Sequence, residues 1–315
     1  SEMNFEPHPD SGAKDWDAYT PPGERRQGFD FWLSYGADDN HLDPHYWNDS
    51  GQMIRPGKWS PEFETDQALS YLQRRSGQDQ PFALFLSYNP PHLPYELVPE
   101  KYLKRYRNMP VTFRENVPAE KRTRELENIT RQYYAAVTGI DDQFGRILAF
   151  LKENNLEENT LLVLSADHGE MLGDHGLWGK HNCAYDEVWH IPLLVKYPGQ
   201  KTGTADRRLV NSVDFLPTCL EAAGAVIPAC DGRPLSDPDW ERDYTFAEGE
   251  GYLAVTDGRY KYVHVQKGRE HGRELLDLRE DPNEFENRIA LPEYQEALAA
   301  LREKMIEHVI PAILA

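Results

Sequence analysis

The segment from Leu161 to Glu170 places an acid beside an imidazole at the end of an apolar run. Leu161-Leu-Val-Leu is followed by Ser-Ala and then directly by Asp167 and His168. In an α/β protein the site lies beyond the carboxyl ends of the strands, where side chains are held rigidly and still face solvent. Lys180 follows in a glycine-rich segment that can fold back over the same opening. A carboxylate, an imidazole and an ammonium group around one opening suit a metal ion that binds an oxyanion.

Each of these three residues also has a structural interpretation. Asp167 can cap the turn that follows, His168 can pack against it, and Lys180 can be a solvated surface charge. Two consecutive residues bind one ion only where the backbone turns out of the sheet. The local sequence by itself leaves both interpretations open.

His92 lies in a second position of the same kind. The apolar run Phe82–Tyr88 predicts a short buried strand, and Pro90-Pro91-His92-Leu93-Pro94 follows it. Prolines favour extended backbone, so His92 is expected at the mouth of the sheet. An imidazole there suits proton transfer near neutral pH. The alternative is a histidine that is hydrogen-bonded within a proline-rich turn.

The elements between these motifs predict an α/β fold with a mostly parallel sheet and helices on both faces. Residues 126–154 read as one long amphipathic helix, because apolar residues recur there at intervals of three and four. That stripe consists of Ile129, Tyr133, Val137, Ile140, Phe144, Ile147 and Leu151. A strand ending at Ser165 follows this helix, and Ile191–Lys196 reads as the next strand.

The character of the sequence changes from about residue 240 onward. Tyr252–Thr256 and Arg259–Val265 flank an Asp-Gly turn, which predicts a β-hairpin. Glu274–Leu278 adds a possible third strand, and Glu293–Val309 reads as a closing amphipathic helix. We therefore predict two domains: an α/β domain over residues 1–239, and a small antiparallel C-terminal subdomain over residues 240–315.

Composition limits the classes of partner. The chain of 315 residues has a formal net charge of −19, which argues against nucleic acid as a partner. No apolar run approaches the ~20 residues that a membrane-spanning helix needs, so no membrane partner is expected. An anionic substrate would need a locally positive pocket, made by a cation and a few basic side chains. We expect a soluble protein of the bacterial cytoplasm or periplasm, without deciding between the two.

These motifs together resemble the sulfatase family of the alkaline-phosphatase-like superfamily. The segments that carry the resemblance occur in the family's order: residues 28–32, 87–95, 133–145, 161–181, 191–199 and 276–284. One family feature is missing. No cysteine or serine opens a Cys-x-Pro-x-Arg or Ser-x-Pro-x-Arg motif, in which the first residue becomes the formylglycine nucleophile. The chain looks like the later two-thirds of a sulfatase, without its nucleophile.

The resemblance implies roles for individual residues. Asp167 and His168 would bind a calcium ion, although His168 stands where the family more commonly has asparagine. Lys180 would bind the sulfate group, and His92 would bind sulfate and protonate the leaving alcohol. Three further residues are candidates for substrate contact: His181 beside the lysine, and His45 and Trp178 on a recognition rim for sugar rings.

The expected function is therefore hydrolysis of carbohydrate or aryl sulfate esters by a calcium-assisted formylglycine mechanism. This chain is expected to be inactive alone. The first alternative is a phosphonate or phosphate ester hydrolase of the same superfamily, and the second is a sulfatase-like binding protein without catalysis. A sheet that lacks its first strands would also expose an apolar edge, which predicts either self-association through that edge or a different local packing.

Overall fold

The computed structural model describes residues 17, 19–36, 38–180, 183–201, 203–265 and 272–314. The chain divides into two units. The first comprises Ser1–Val111 with Arg124–Glu157, and the second comprises Thr112–Thr123 with Glu158–Ala315. Each unit is described by itself below.

Helices dominate the first unit. Its elements are β1 (Tyr46–Trp47), β2 (Met53–Ile54), α1 (Ser60–Arg75), α2 (Glu100–Tyr106) and α3 (Arg124–Glu153). β1 and β2 pair antiparallel. In α1, Pro61 occupies the first turn, where its missing N–H costs nothing, and Arg74 and Arg75 occupy the last turn, where cations favour the helix dipole.

The predicted long helix is present as α3, and its buried face matches the predicted stripe only in part: Ile147 and Leu151 are buried, but the other predicted positions are not fully buried. Val137 is 44% exposed, whereas Ala135, Ala136 and Gly139 are buried. Trp59 packs against this region of α3 and is itself buried. Large rings can approach a helix this closely only where its side chains are small, so packing against Trp59 selects the alanine and glycine positions as the inner face.

The second unit contains two separate sheets. Its elements are β3 (Leu162–Ser165), α4 (Asp186–Trp189), β4 (Leu193–Lys196), α5 (Phe215–Ala222), β5 (Thr245–Gly249), β6 (Tyr252–Thr256), β7 (Tyr260–Val265), β8 (Glu274–Asp277) and α6 (Gln295–Leu314). β3 pairs only with β4 among the described strands, and the pair is antiparallel. The mostly parallel sheet is therefore not found in the described part of the chain. The link between the two strands, residues 166–192 with α4 in it, returns the chain beside β3 in the opposite direction.

The C-terminal hairpin is confirmed. β6 and β7 pair antiparallel around Asp257-Gly258, and β5 and β8 complete a four-stranded antiparallel sheet in the order β5-β6-β7-β8. Helix α6 covers the sheet through a core that includes Val255, Tyr262 and Leu301. This sheet belongs to the same unit as residues 158–239. A domain boundary at residues 239/240 stays a prediction.

The run Phe82–Tyr88 is not a strand in the structure. Phe85 is 78% exposed and Leu84 is 37% exposed, so the run is not buried either. A strand needs a neighbour to satisfy its backbone groups, and no described strand pairs with this segment.

None of the described helices combines the length and the apolar character that crossing a bilayer requires.

The two glycines of α3 provide a matched test of the tight face. A Cβ on Gly139 would lie 2.5 Å from Trp59, whereas a Cβ on Gly145 would meet nothing within 4 Å. We expect Gly139→Ala to lower the free energy of unfolding by ~1–3 kcal/mol through overpacking. Gly145→Ala should raise it by ~0.5–1 kcal/mol, because alanine favours the helix. Urea unfolding of both variants checks this; equal effects would contradict the packing of Trp59 on α3.

Candidate functional site

Asp167 and His168 leave the end of β3 with their polar atoms on one side. The Asp167 side chain is 88% exposed, and its Oδ2 lies 3.6 Å from His168 Nε2. Asp167 Oδ1 accepts a hydrogen bond of 2.9 Å from the backbone N–H of His168. The carboxylate therefore turns back over the backbone of its neighbour and still presents its second oxygen to solvent.

The imidazole of His168 is oriented by the backbone. Its Nδ1 lies 2.8 Å from the carbonyl oxygen of Gly169. Because a carbonyl only accepts, Nδ1 must carry the proton, and Nε2 is left with a lone pair. With metal–ligand bonds of about 2.3–2.6 Å, two neighbouring ligands of one ion lie roughly 3–4 Å apart. The pair Asp167 Oδ2 and His168 Nε2 fits that spacing.

Two ligands do not complete a metal site. Within the described residues, no group of three or more His, Cys, Asp or Glu side chains is arranged to hold a metal ion. Asp167 and His168 would therefore be only part of a ligand set, and further ligands would come from elsewhere.

Lys180 lies at the exposed end of a loop that returns to the same strand end. The carboxylate Oε1 of Glu170 accepts the backbone N–H of Gly179 at 2.6 Å. The N–H of Met171 donates to the carbonyl of Gly179 at 3.1 Å. Both backbone groups next to Lys180 are thus bound to the segment that carries Asp167 and His168. Trp178 in this loop is 42% exposed. His181 lies outside the described residues.

The segment after His168 is paired with the end of α4. The N–H of Gly169 donates to the carbonyl of Val188 at 2.8 Å, and that of Glu170 donates to the carbonyl of Glu187 at 3.1 Å. A Cβ on Gly169 would lie 1.9 Å from the carbonyl oxygen of Glu187. Only glycine fits at this position.

Ion pairs with the buried Lys261 hold the start of α4. Lys261 is fully buried and pairs with Asp186 at 2.6 Å and Glu284 at 2.5 Å. Glu284 also accepts the N–H of Asp186 at 2.7 Å, so it caps the start of α4. Burial raises the pKa of Glu284 to about 7, and Lys261 opposes that rise.

Side chains from residues 112–123 hold Glu187, the second residue of α4. The buried carboxylate of Glu187 pairs with Arg114 at 2.7 Å and accepts from Asn116 at 2.8 Å. Asp174 lies 3.6 Å from the same guanidinium, and burial raises its pKa to about 7. The first two residues of α4, Asp186 and Glu187, are thus held by charged side chains, and the Lys261 ammonium also lies 5.1 Å from the ring centroid of Trp189. These contacts make α4 a rigid support for Gly169.

His92 lies in the first unit. Its ring is 38% exposed, and its Nδ1 contacts the carbonyl of Leu93 at 2.8 Å and the carboxylate of Asp39 at 3.5 Å. His41 holds this loop from beneath: its Nε2 contacts the carbonyls of His92 and Leu93 at 3.0 and 3.2 Å. Since carbonyls only accept, Nε2 of His41 carries the proton. Nε2 of His92 is left available for proton transfer.

His45 lies in the first unit as well, and its ring is engaged on both sides. Nε2 contacts the carboxylate of Asp17, and Nδ1 contacts the carboxylate of Asp38 at 3.0 Å. The residue is only 8% exposed. In this arrangement neither ring nitrogen faces solvent, and contact between His45 and substrate stays a prediction.

The structure therefore brings together the three candidates of the second unit along one stretch of backbone: Asp167, His168 and the Lys180 loop. Sequence reasoning missed Glu170 and the support from α4. The glutamate adjoins the ligand pair, but nothing in the sequence shows which amide its side chain reaches. It also missed that His41 is 3% exposed and acts beneath His92.

Comparison with known proteins gives a consistent family. The sequence pattern of the sulfatases matches residues 10–225. An endo-4-O-sulfatase of Bacteroides thetaiotaomicron is 37% identical over 218 residues, which are 66% of this chain and 42% of that protein. A ulvan-active sulfatase of Formosa agariphila is 32% identical over 315 residues, covering 92% of this chain and 60% of that protein. The chain thus spans about half of the length of these two curated relatives.

Solved structures agree with the sequence comparison. The structure of yidJ from Bacteroides fragilis, assigned to the sulfatases, has a TM-score of 0.83 at 32% identity and covers 93% of this chain and 68% of that one. A phosphonate monoester hydrolase from Silicibacter pomeroyi has a TM-score of 0.63 at 25% identity, with 91% and 67% covered. The fold is therefore α/β and alkaline-phosphatase-like.

The support of the His92 loop by His41 can be tested by substitution. We expect His41→Ala to lower the free energy of unfolding by ~1–3 kcal/mol, because it removes a buried donor from two carbonyls. His190→Ala, at a side chain that is 81% exposed, should change it by less than ~0.5 kcal/mol. Thermal and urea unfolding measure both.

The same substitution should alter the pH dependence of stability. Burial lowers the pKa of His41 below its ordinary 6.5, so the unfolded chain takes up a proton that the folded chain refuses. The wild type should lose stability as the pH falls below about 6.5, and His41→Ala should lack that component. An unchanged pH profile would contradict a neutral, buried His41.

Proposed function

The chain belongs to the sulfatase family, and on that premise we propose that it forms part of an enzyme that hydrolyses sulfate esters. One observation carries the proposal: the exposed carboxylate of Asp167 and the free Nε2 of His168 lie 3.6 Å apart. The Lys180 loop is hydrogen-bonded to the same segment through Gly179. A metal ligand pair beside an ammonium group suits a sulfate group, which carries negative charge on its oxygens.

Carbohydrate esters are the substrate class that the comparisons favour, with aryl esters as the second class. Two relatives are an endo-4-O-sulfatase and a ulvan-active sulfatase, and another is an arylsulfatase of Clostridium perfringens. The exposed indole of Trp178 suits stacking on a sugar ring beside the sulfate position.

Asp167 and His168 would hold a calcium ion. When bound, calcium would neutralise charge on the sulfate oxygens. Asp167 would contribute an oxygen ligand, and His168 would contribute Nε2 because Gly169 keeps the proton on Nδ1. The Lys180 ammonium would add a second positive charge from the loop and bind a sulfate oxygen.

His92 would protonate the leaving alcohol. Its ring is partly exposed and its Nε2 is available, while Nδ1 is held by the carbonyl of Leu93. His45, Trp178 and His181 remain candidates for contact with the rest of the substrate.

The formylglycine nucleophile of the family has no precursor motif in these 315 residues. We propose that a segment outside this sequence supplies it. Self-association also stays a prediction, and the exposed Phe85 in the run Phe82–Tyr88 supports it.

A second candidate function is hydrolysis of phosphonate or phosphate esters. The fold similarity to a phosphonate monoester hydrolase, at 25% identity, favours it specifically. A metal pair and a lysine bind either oxyanion, so these residues do not discriminate between sulfur and phosphorus. A sulfatase-like binding protein without catalysis is the third candidate.

Calcium binding tests the ligand pair directly. Isothermal titration of the 315-residue chain with calcium should give binding that weakens at least about tenfold in Asp167→Ala and in His168→Ala, since each loses one of few ligands. The control is Asp141→Ala, an exposed aspartate of α3 that should leave affinity unchanged. Equal affinity in the wild type and Asp167→Ala would rule out this site.

Turnover tests the function. We expect the 315-residue chain alone to release no sulfate from an aryl sulfate or a sulfated oligosaccharide. An enzyme that includes this chain and a nucleophile segment should hydrolyse sulfate esters faster than a phosphonate monoester. His92→Ala and Lys180→Ala should each lower kcat/KM by ~10²-fold or more. Faster phosphonate hydrolysis would favour the second candidate.

A further inference from the structure

Glu170 occupies an unusual place between the two halves of the candidate site. It lies three residues after Asp167 in the sequence, and its carboxylate reaches the loop that carries Lys180. Its Oε1 accepts two backbone N–H groups, from Gly179 at 2.6 Å and from Leu172 at 3.2 Å. It is half-buried.

The hydrogen bond to Gly179 is charge-assisted and short, which is the strong kind. It fixes the N–H of Gly179, which belongs to the peptide unit between Trp178 and Gly179. The N–H of Met171 fixes the carbonyl of Gly179, in the peptide unit between Gly179 and Lys180, at 3.1 Å. Within the loop, the N–H of Gly173 donates to the carbonyl of Leu177 at 2.9 Å, which closes the loop on itself.

Buried apolar side chains hold the base of the loop that carries Lys180. Met171 is fully buried and packs in a cluster with Cys183, Tyr185 and Leu276, while Leu177 is partly buried against it. The loop is therefore anchored at both ends, and Glu170 holds the N–H of Gly179, the residue before Lys180. A lysine has a long flexible side chain, so its ammonium is positioned only as well as its backbone is.

From this geometry we propose that Glu170 is a positioning residue: its carboxylate fixes the backbone at Gly179, the residue before Lys180, relative to the Asp167–His168 pair and so aims the ammonium at the oxyanion. The inference rests on the proposed function, because the oxyanion is the sulfate group bound there. Glu170 does not touch the substrate and acts only through Gly179.

Binding of inorganic sulfate in the presence of calcium tests this proposal. We would measure it by equilibrium dialysis of the 315-residue chain with radiolabelled sulfate. Glu170→Ala should weaken sulfate binding by about tenfold, the scale of one charge-assisted hydrogen bond. Glu170→Gln, which keeps a neutral acceptor oxygen, should recover part of that loss. Calcium affinity should stay unchanged in both variants.

Two comparisons separate positioning from general stability. Glu170→Ala should have no further effect on sulfate binding in a Lys180→Ala background, because the carboxylate acts through the lysine. The matched control is Asp237→Ala, an exposed carboxylate that accepts the N–H of Asp239 at 3.1 Å. It should leave sulfate and calcium binding as in the wild type.

The outcomes are distinct. Sulfate affinity that is unchanged in Glu170→Ala, or that falls equally in the Lys180→Ala background, would overturn the positioning role. Calcium binding without any sulfate binding by the wild type would also overturn it and would leave the metal pair intact. A wild type that binds no calcium would instead count against the proposed function.

Discussion

The close approach of residues 169–170 to residues 187–188 is the constraint on which the second unit's candidate site depends. Gly169 lies so near the carbonyl of Glu187 that a Cβ would meet it at 1.9 Å. The two backbone hydrogen bonds of this pairing turn the chain out of β3, so that Asp167 reaches solvent and His168 Nδ1 meets the carbonyl of Gly169. The position of Asp167 and His168 is therefore set by α4, a helix of four residues.

A helix that short has little stability of its own, so its position must come from tertiary contacts. Lys261 and Glu284 fix its start, and Arg114 and Asn116 fix Glu187. Buried charges are costly unless they are paired, and this cost makes the arrangement specific: removing any partner leaves a buried charge unpaired. Residues that are far apart in sequence thus fix the position of α4. Through Gly169, the position of α4 in turn determines where Asp167 lies.

In the first unit, a neutral side chain instead of a charged one orients the loop that carries a candidate residue. The Nε2–H of His41 satisfies two carbonyls of the His92 loop, and burial keeps the ring uncharged. Small residues on α3 admit Trp59, which lies one residue before α1. In both units an exposed chemical group is oriented by a buried polar contact with the backbone beside it.

The sequence by itself determined the family, the long helix, the C-terminal hairpin and the candidate residues Asp167, His168, Lys180 and His92. These follow from local patterns: residue type, spacing and turn chemistry. Only the tertiary structure decided that β3 and β4 pair antiparallel, that Phe82–Tyr88 is exposed and that His45 lies between two carboxylates. It also decided that Glu170 reaches Gly179. The reason is physical: strand pairing, burial and side-chain contacts depend on residues that are distant in sequence. A local sequence pattern does not specify which distant residue will form the contact.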